Sequence, residues 1–306
     1  MPLTIEAIVC VVDFSAYSRL MVAHAAALAR RSAGHLFLVH VLHDPHDPLH
    51  PTLSIGRQSD PDRLAGEARR HLAALMSHRD TDWEAVLRFG EPVEQIAAFV
   101  DTLPPSLVIS ASHGISPLRR LFIGTVVERL TRALSRPMLV VKPGSDDHGR
   151  GFGSVVVSCD GHGHWQRLAP LLVPLQPDAD SQVHLVHALE HPAVQTVGDP
   201  AGVSYAQAQQ IHQDRLKSRL VRQAQRLFPH AGHLSVTVAP GVPQEMVLEV
   251  ARDRSADLIV VGVRHSGPLG RWVAGSTTEA LLRQAACCVL TVPEPSGSAG
   301  SGGERL

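Results

Sequence analysis

Cysteine is scarce in this chain. Only four occur in 306 residues (Cys10, Cys159, Cys287 and Cys288), each within an apolar strand-like run and none in C-x-x-C spacing. That density excludes a disulfide-stapled scaffold, and the four read as buried thiols packing as small hydrophobes. An excess of one charge is also lacking: 28 Lys plus Arg face 29 Asp plus Glu, a formal net charge of −1, with no long run of either sign. A dedicated nucleic-acid or anionic-membrane binder would carry a basic excess, so neither partner is expected. No apolar stretch approaches the roughly 20 residues that span a bilayer, and Met1 to Ile5 carry no basic region before the first strand-like segment. A soluble, cytoplasmic protein is the expectation. Finally, there is no G-x-S-x-G elbow, no H-E-x-x-H and no evident Cys–His nucleophile pair, so no catalytic residue is assigned.

What is present is a repetition. Ala111-Ser-His-Gly114, nine residues, then Gly124-Thr125 reappears as Gly262-Val-Arg-His265, nine residues, then Gly275-Ser276. The offset of 151 residues also carries Gly90-Glu-Pro92 onto Gly241-Val-Pro243, Glu94 onto Glu245 and Glu128 onto Glu279. A unit of that length is domain-sized rather than solenoid-sized, and the chain length agrees with two domains.

The pattern within each unit predicts alternating strands and helices. Ala7 to Val12 is a continuous apolar run ending at Asp13, and Tyr17, Met21, Ala25 and Leu28 follow at helical spacing. Further strands are expected at 35–42, 83–89, 107–110 and 138–141. Helices are expected from Asp60-Pro61, from Gly90-Glu-Pro92 and from Thr125. The second unit repeats this order with strands at 154–158, 183–189, 234–238, 256–262 and 288–292. Its helices are a long one over 206–227 and others from Pro243 and Ser276. Strands that are apolar throughout and alternate with helices imply parallel sheets covered on both faces. The fold class is therefore α/β, two doubly wound five-stranded domains over 1–143 and 152–293. A polar, glycine-rich linker at 144–151 joins them, and a Ser- and Gly-rich tail at 294–306 is expected to be disordered.

In open α/β sheets, ligands sit beyond the carboxyl ends of the strands where strand order reverses, which singles out Asp13 and the glycine loops. Glycines let backbone N–H groups approach phosphate oxygens, and Gly124-Thr125 and Gly275-Ser276 open helices whose N-termini favour anions. Thr125, Ser276 and Thr277 add hydroxyl donors. Arg119 and Arg120 in the first loop, and Arg264 and Arg271 in the second, could screen phosphate charge or form a solvated face. His40, His43, His46 and His50, with Asp44 and Asp47, supply metal-type ligands, but the stretch is proline-broken without rigid spacing and no metal site is assigned.

The order strand-Asp, Gly-x-Pro before a helix, and G-2x-G-9x-G-[ST] closing into an apolar strand resembles the universal stress protein family, over residues 3–143 and 152–293 alike. The resemblance implies strand order 3-2-1-4-5 and two domains packed face to face as an internal pseudo-dimer, the final strands near the pseudo-twofold; homodimers of the chain are left open. It also implies ATP, with Mg²⁺, as the ligand. The family's acidic position near the ribose falls on Asp13 and Asp160, and its adenine-edge backbone position on Val41 and Ala188. Its loop glycines fall on Gly114 and Gly124, and on Gly262 and Gly275. Each unit departs from the motif once, with Ala111 at the opening glycine of the first loop and His265 at the second glycine of the other. The first site is favoured, because Asp13-Phe14-Ser15 and Ser18 match the family's opening turn better than Asp160-Gly161-His162. The functional expectation is an adenine-nucleotide-binding stress-response sensor, hydrolysing ATP slowly at most. The alternatives are a nucleotide-free scaffold working through protein contacts and a binder of metal or a small molecule.

Overall fold

The computed structural model describes residues 5–42, 61–76, 81–112, 124–142, 151–159, 169–172, 175, 181–189, 205–229, 231–263 and 275–293. The linker expected at 144–151, apart from Gly151, and the tail expected at 294–306 lie outside the described residues, except that the linker's neighbours at both ends are strand-bearing segments. In the first half the order is β1 (Ala7–Val11), α1 (Ser18–Ser32), β2 (His35–Leu42), α2 (Pro61–Leu75), β3 (Trp83–Phe89), α3 (Pro92–Asp101), β4 (Ser106–Ala111), α4 (Thr125–Ala133) and β5 (Met138–Val141). In the second it is β6 (Ser154–Ser158), α5 (Ala169–Leu172), β7 (Gln182–Leu189), α6 (Tyr205–Leu227), β8 (His233–Pro240), α7 (Pro243–Asp253), β9 (Leu258–Val263), α8 (Ser276–Gln284) and β10 (Cys288–Pro293).

Continuous apolar sequence makes the central strands. All six residues of β4 are buried, as are Ile8, Val9 and Cys10 of β1, because helices cover both faces. Met21, Val22, Ala25, Ala26 and Leu28 form the buried face of α1 at the helical spacing of the sequence. Before α3 the chain turns at Gly90, whose φ of +125° is a conformation that L side chains rarely adopt. Pro92 then starts the helix, and the Glu91 carboxylate accepts from the Glu94 amide at 3.0 Å. Between the first two strands of the second half the described helix is α5, which starts at Ala169, the repeat equivalent of Ser18 at the start of α1, and Leu171, Leu172 and Leu175 are buried there.

The strands form one sheet of ten in the order β3-β2-β1-β4-β5-β10-β9-β6-β7-β8. Each half thus has the expected 3-2-1-4-5 order with parallel pairing, and the halves meet through an antiparallel pairing of β5 with β10. The register joins Met138 to Thr291, Leu139 to Leu290 and Val140 to Val289. Leu139 and Leu290 are equivalent in the repeat, so the pseudo-twofold passes between them. This corrects the expectation of face-to-face packing: the halves join edge to edge. The reason is that β5 and β10 are short apolar strands, and an unpaired edge of that kind would expose ladder groups and hydrophobic surface. Helices α4 and α8 flank the seam. Arg132 pairs with Glu128 at 2.8 Å and Arg283 with Glu279 at 2.6 Å, while Arg132–Glu279 and Arg283–Glu128 cross between halves, both at 3.7 Å. Two described contacts break the symmetry: buried Lys142 donates from Nζ to the Leu282 carbonyl at 2.5 Å, and the Thr291 hydroxyl, whose repeat equivalent is Val140, donates to the Met138 carbonyl at 3.3 Å.

Candidate functional site

Strand order reverses between β1 and β4 in the first half and between β6 and β9 in the second, so a crevice opens past their carboxyl ends in each. Asp13 stands at the end of β1. Its Oδ1 accepts from the Ser15 amide at 2.9 Å and the Ser18 hydroxyl at 3.3 Å, which fixes the carboxylate while Oδ2 makes no hydrogen bond among the described residues. Among the described residues the buried Ser15 hydroxyl beside it has no hydrogen-bond partner.

Pairing geometry explains Val41. The Val12 amide donates to the Val39 carbonyl, so the backbone groups of Val39 face β1. Side alternation along a strand turns the N–H and C=O of Val41 the same way, past the point where β1 stops. The second half repeats this: the Cys159 amide donates to Val186, and the groups of Ala188 face past the end of β6.

Between those positions lies a histidine in each half; His40 falls in the strand expected at 35–42, where its residue type suggests only a metal-type ligand. His40 Nδ1 lies 2.7 Å from the Val12 carbonyl, and His187 Nδ1 lies 2.8 Å from the Cys159 carbonyl. A carbonyl only accepts, so Nδ1 carries the proton in both rings, and each imidazole extends the ladder by one side-chain bond at the residue before Asp13 or Asp160. The signal was in the sequence as V-H-V-L and V-H-A-L, two copies of one strand end. Phe14 rests on the His40 ring, with centroids 4.3 Å apart, and meets the edge of His71 from α2 at 5.4 Å. Its φ of +58° is unusual for a bulky residue and directs the chain away from Asp13 into the turn before α1.

The glycine loop leaves β4 at Ser112, whose amide donates to Val141 at 2.9 Å, and returns at Gly124, whose amide closes on the Ser112 carbonyl at 3.0 Å. Gly124 and Gly275 are the N-caps of α4 and α8, with φ of −60° at both and no side-chain cap. The first intrahelical bonds run from Glu128 to Gly124 and from Glu279 to Gly275, so the amides of 125–127 and 276–278 have no acceptor within their helices. Neither glycine is demanded by conformation. Among the described residues, a Cβ at Gly124 would come no nearer than 3.8 Å to the Ser112 carbonyl oxygen, and one at Gly275 would meet nothing within 4 Å. Thr125, Ser276 and Thr277 occupy the first turns, the first two exposed. Buried Thr278 donates to the Gly262 carbonyl at 3.3 Å and ties α8 to β9. Ala111 and Gly262 occupy equivalent strand positions without positive φ, so alanine at 111 costs no strain.

The described site thus brings Asp13, Val41, Ala111, Gly124 and Thr125 to one end of the first half-sheet, and Ala188, Gly262, Gly275, Ser276 and Thr277 to the same end of the second. Gly114, Asp160, His265 and the loop arginines lie outside the described residues, as do His43, His46 and His50. Among the described residues no group of three or more His, Cys, Asp or Glu is placed to hold a metal ion, and no helix is long and apolar enough to cross a membrane.

The universal stress protein family model matches the chain twice, over residues 4–142 and 151–293. The chain belongs to the universal stress protein family. It is a tandem member, with one copy of the family's domain in each half of the ten-stranded sheet. Among curated relatives, a universal stress protein of Thermus aquaticus, encoded in the QAH/OAS sulfhydrylase 3′ region, is 30% identical over 154 residues, covering 46% of this chain and 98% of the relative. Among solved structures, a functionally unknown protein from Pseudomonas aeruginosa PAO1 aligns over 95% of this chain and 93% of its own, at a TM-score of 0.67 and 14% identity. A universal stress protein from Archaeoglobus fulgidus DSM 4304 aligns over 95% and 99%, at 0.62 and 17%. At those identities the structural likeness speaks to the fold.

Proposed function

We propose that this universal stress protein binds ATP or another adenine nucleotide, with Mg²⁺, at the carboxyl ends of its parallel strands and acts as a cytoplasmic regulatory sensor in the stress response. The observation that carries the reading is the pair of N-cap glycines. Gly124 and Gly275 have ordinary negative φ and no close neighbour among the described residues, so neither backbone strain nor packing against the described residues accounts for glycine there. Close approach of a ligand accounts for both, and the amides at the following helix starts suit phosphate oxygens. The rest of the crevice fits the remainder of a nucleotide. Asp13 Oδ2 is available to accept from ribose hydroxyls, the outward N–H and C=O of Val41 suit the edge of adenine, and the buried Ser15 hydroxyl lacks a partner among the described residues. The family model and the tandem repeat support two such sites, with the first favoured because Asp13 is fixed by Ser15 and Ser18.

Calorimetric titration of ATP with Mg²⁺ into nucleotide-stripped protein, with mass spectrometry of what the unstripped protein carries, tests this. One or two sites per chain are expected, lost in a Gly124→Val/Gly275→Val variant. Binding that survives both substitutions refutes the site. Absence of both heat and carried nucleotide would favour a scaffold acting through protein contacts.

A further inference from the structure

Helix α6 differs in charge from the rest of the molecule. It is the longest described helix, 23 residues, and carries Arg215, Lys217, Arg219, Arg222 and Arg226 against Asp214 alone, in a chain whose net charge is −1. All five cations are exposed. In three other helices an arginine sits beside a glutamate one turn away, as in Arg63–Glu67, Arg132–Glu128 and Arg283–Glu279. Helix α6 has no glutamate, and Asp214 accepts from Gln210 at 3.1 Å. Among the described residues Arg215, Lys217, Arg222 and Arg226 form no ion pair.

The cations are also aligned. Leu216, Leu220 and Ala224 are buried and seat the helix on the core, while Arg215, Arg219, Arg222 and Arg226 recur at i, i+4, i+7 and i+11 on another face. At 100° and 1.5 Å per residue, those four lie within an arc of about 60° and along about 16 Å. One turn before Arg215, on the same stripe, Ile211 is 46% exposed, one of three large hydrophobic side chains exposed to that degree among the described residues. A phosphate backbone would use the arginines but not the isoleucine, and the stripe has no aromatic ring on which a base could stack. A helix carrying one apolar anchor and carboxylates at the same spacing would use both.

We infer that the Ile211–Arg226 stripe of α6 is a docking surface for an acidic amphipathic helix of a partner protein. The probe is a fluorescein-labelled synthetic helical peptide with one Leu and four Glu spaced as on the stripe. A second peptide with Gln in place of Glu, and a labelled DNA duplex, serve as controls. Anisotropy with the full chain should show binding of the Glu peptide that weakens at least about tenfold when salt rises from about 50 to about 300 mM. Arg215→Glu/Arg222→Glu/Arg226→Glu should abolish it, Arg215→Gln/Arg222→Gln/Arg226→Gln and Ile211→Ser should weaken it, and circular dichroism should be unchanged in each. Equal binding of the Gln peptide, retention in the reversed-charge variant or no binding of the Glu peptide at low salt overturns the proposal. Tighter binding of the duplex would assign the surface to nucleic acid instead.

Discussion

His184 is buried on β7 with both ring nitrogens engaged, Nδ1 with the Ser235 hydroxyl and Nε2 with the Thr237 hydroxyl at 3.0 Å. Burial, with Arg254 and His233 adding repulsion, pushes its pKa down to about 4 from an ordinary 6.5. Below pH 6.5 the unfolded chain therefore takes up this proton before the folded one does. The stability that the neutral ring contributes is complete above about pH 6.5 and is lost as pH falls through about 4. Urea midpoints measured between pH 7 and pH 4 should show a loss on the order of 2 kcal/mol that His184→Gln removes from the pH profile. The thiols should be inert. Burial, then the charge of Asp13, pushes Cys10 up to about 12, and burial, then Cys288, does the same for Cys287. Ellman's reagent is expected to label neither without denaturant; rapid labelling of Cys10 in the native protein would contradict its place in the sheet.

Among the elements, strand ends and helix starts carry the proposed site, and their glycines are not alike. Gly90 sits at φ +125°, whereas Gly124 and Gly275 have φ of −60° with no close neighbour among the described residues. Gly90→Ala should therefore cost about 1–2 kcal/mol. Gly124→Ser and Gly275→Ser should leave the thermal midpoint unchanged or raise it by the few tenths of a kcal/mol that a better N-cap gives. A large loss of stability at Gly275→Ser would mean that the glycine serves the fold rather than a ligand. The histidine ties at the ends of β2 and β7 belong to this scale too. His40→Leu leaves the Val12 carbonyl without its side-chain donor beside Asp13, and a destabilisation of about 1–2 kcal/mol is expected in urea melts. His187→Leu should cost a similar amount.

At the scale of the whole molecule, the antiparallel β5–β10 seam makes two domains one sheet, and the halves should unfold together. The Arg132, Arg283, Glu128 and Glu279 cluster is partly exposed, and its crossing pairs at 3.7 Å are long, so Glu128→Gln/Glu279→Gln should cost under about 1 kcal/mol. Leu139 and Leu290 are fully buried on the pseudo-twofold. Placing a charge there, as in Leu290→Arg, should split the single calorimetric transition of the native chain into two. A variant that still melts in one transition would show that the helices and Lys142, rather than the seam strands, hold the halves together.

The sequence by itself determined most of the local order. The apolar runs at 35–42, 138–141 and 154–158 became strands with the same limits, as did the strand candidate at 83–89, and the 151-residue repeat announced two copies of one fold. Those features were legible because burial on both faces leaves a continuous apolar signature and because Pro92, Pro243 and the N-cap glycines mark helix starts locally. It also pointed to Asp13, Gly124 and Gly275, whose residue types carry their chemistry with them. What only the tertiary structure decided involves residues far apart in the chain. His40 acquired its tie to Val12 when β1 and β2 came side by side, and the groups of Val41 turned toward the crevice because β1 stops short. The edge-to-edge join of Leu139 with Leu290 likewise depends on which strand edges remain unpaired once both half-sheets exist, a property of the assembled sheet and not of any segment.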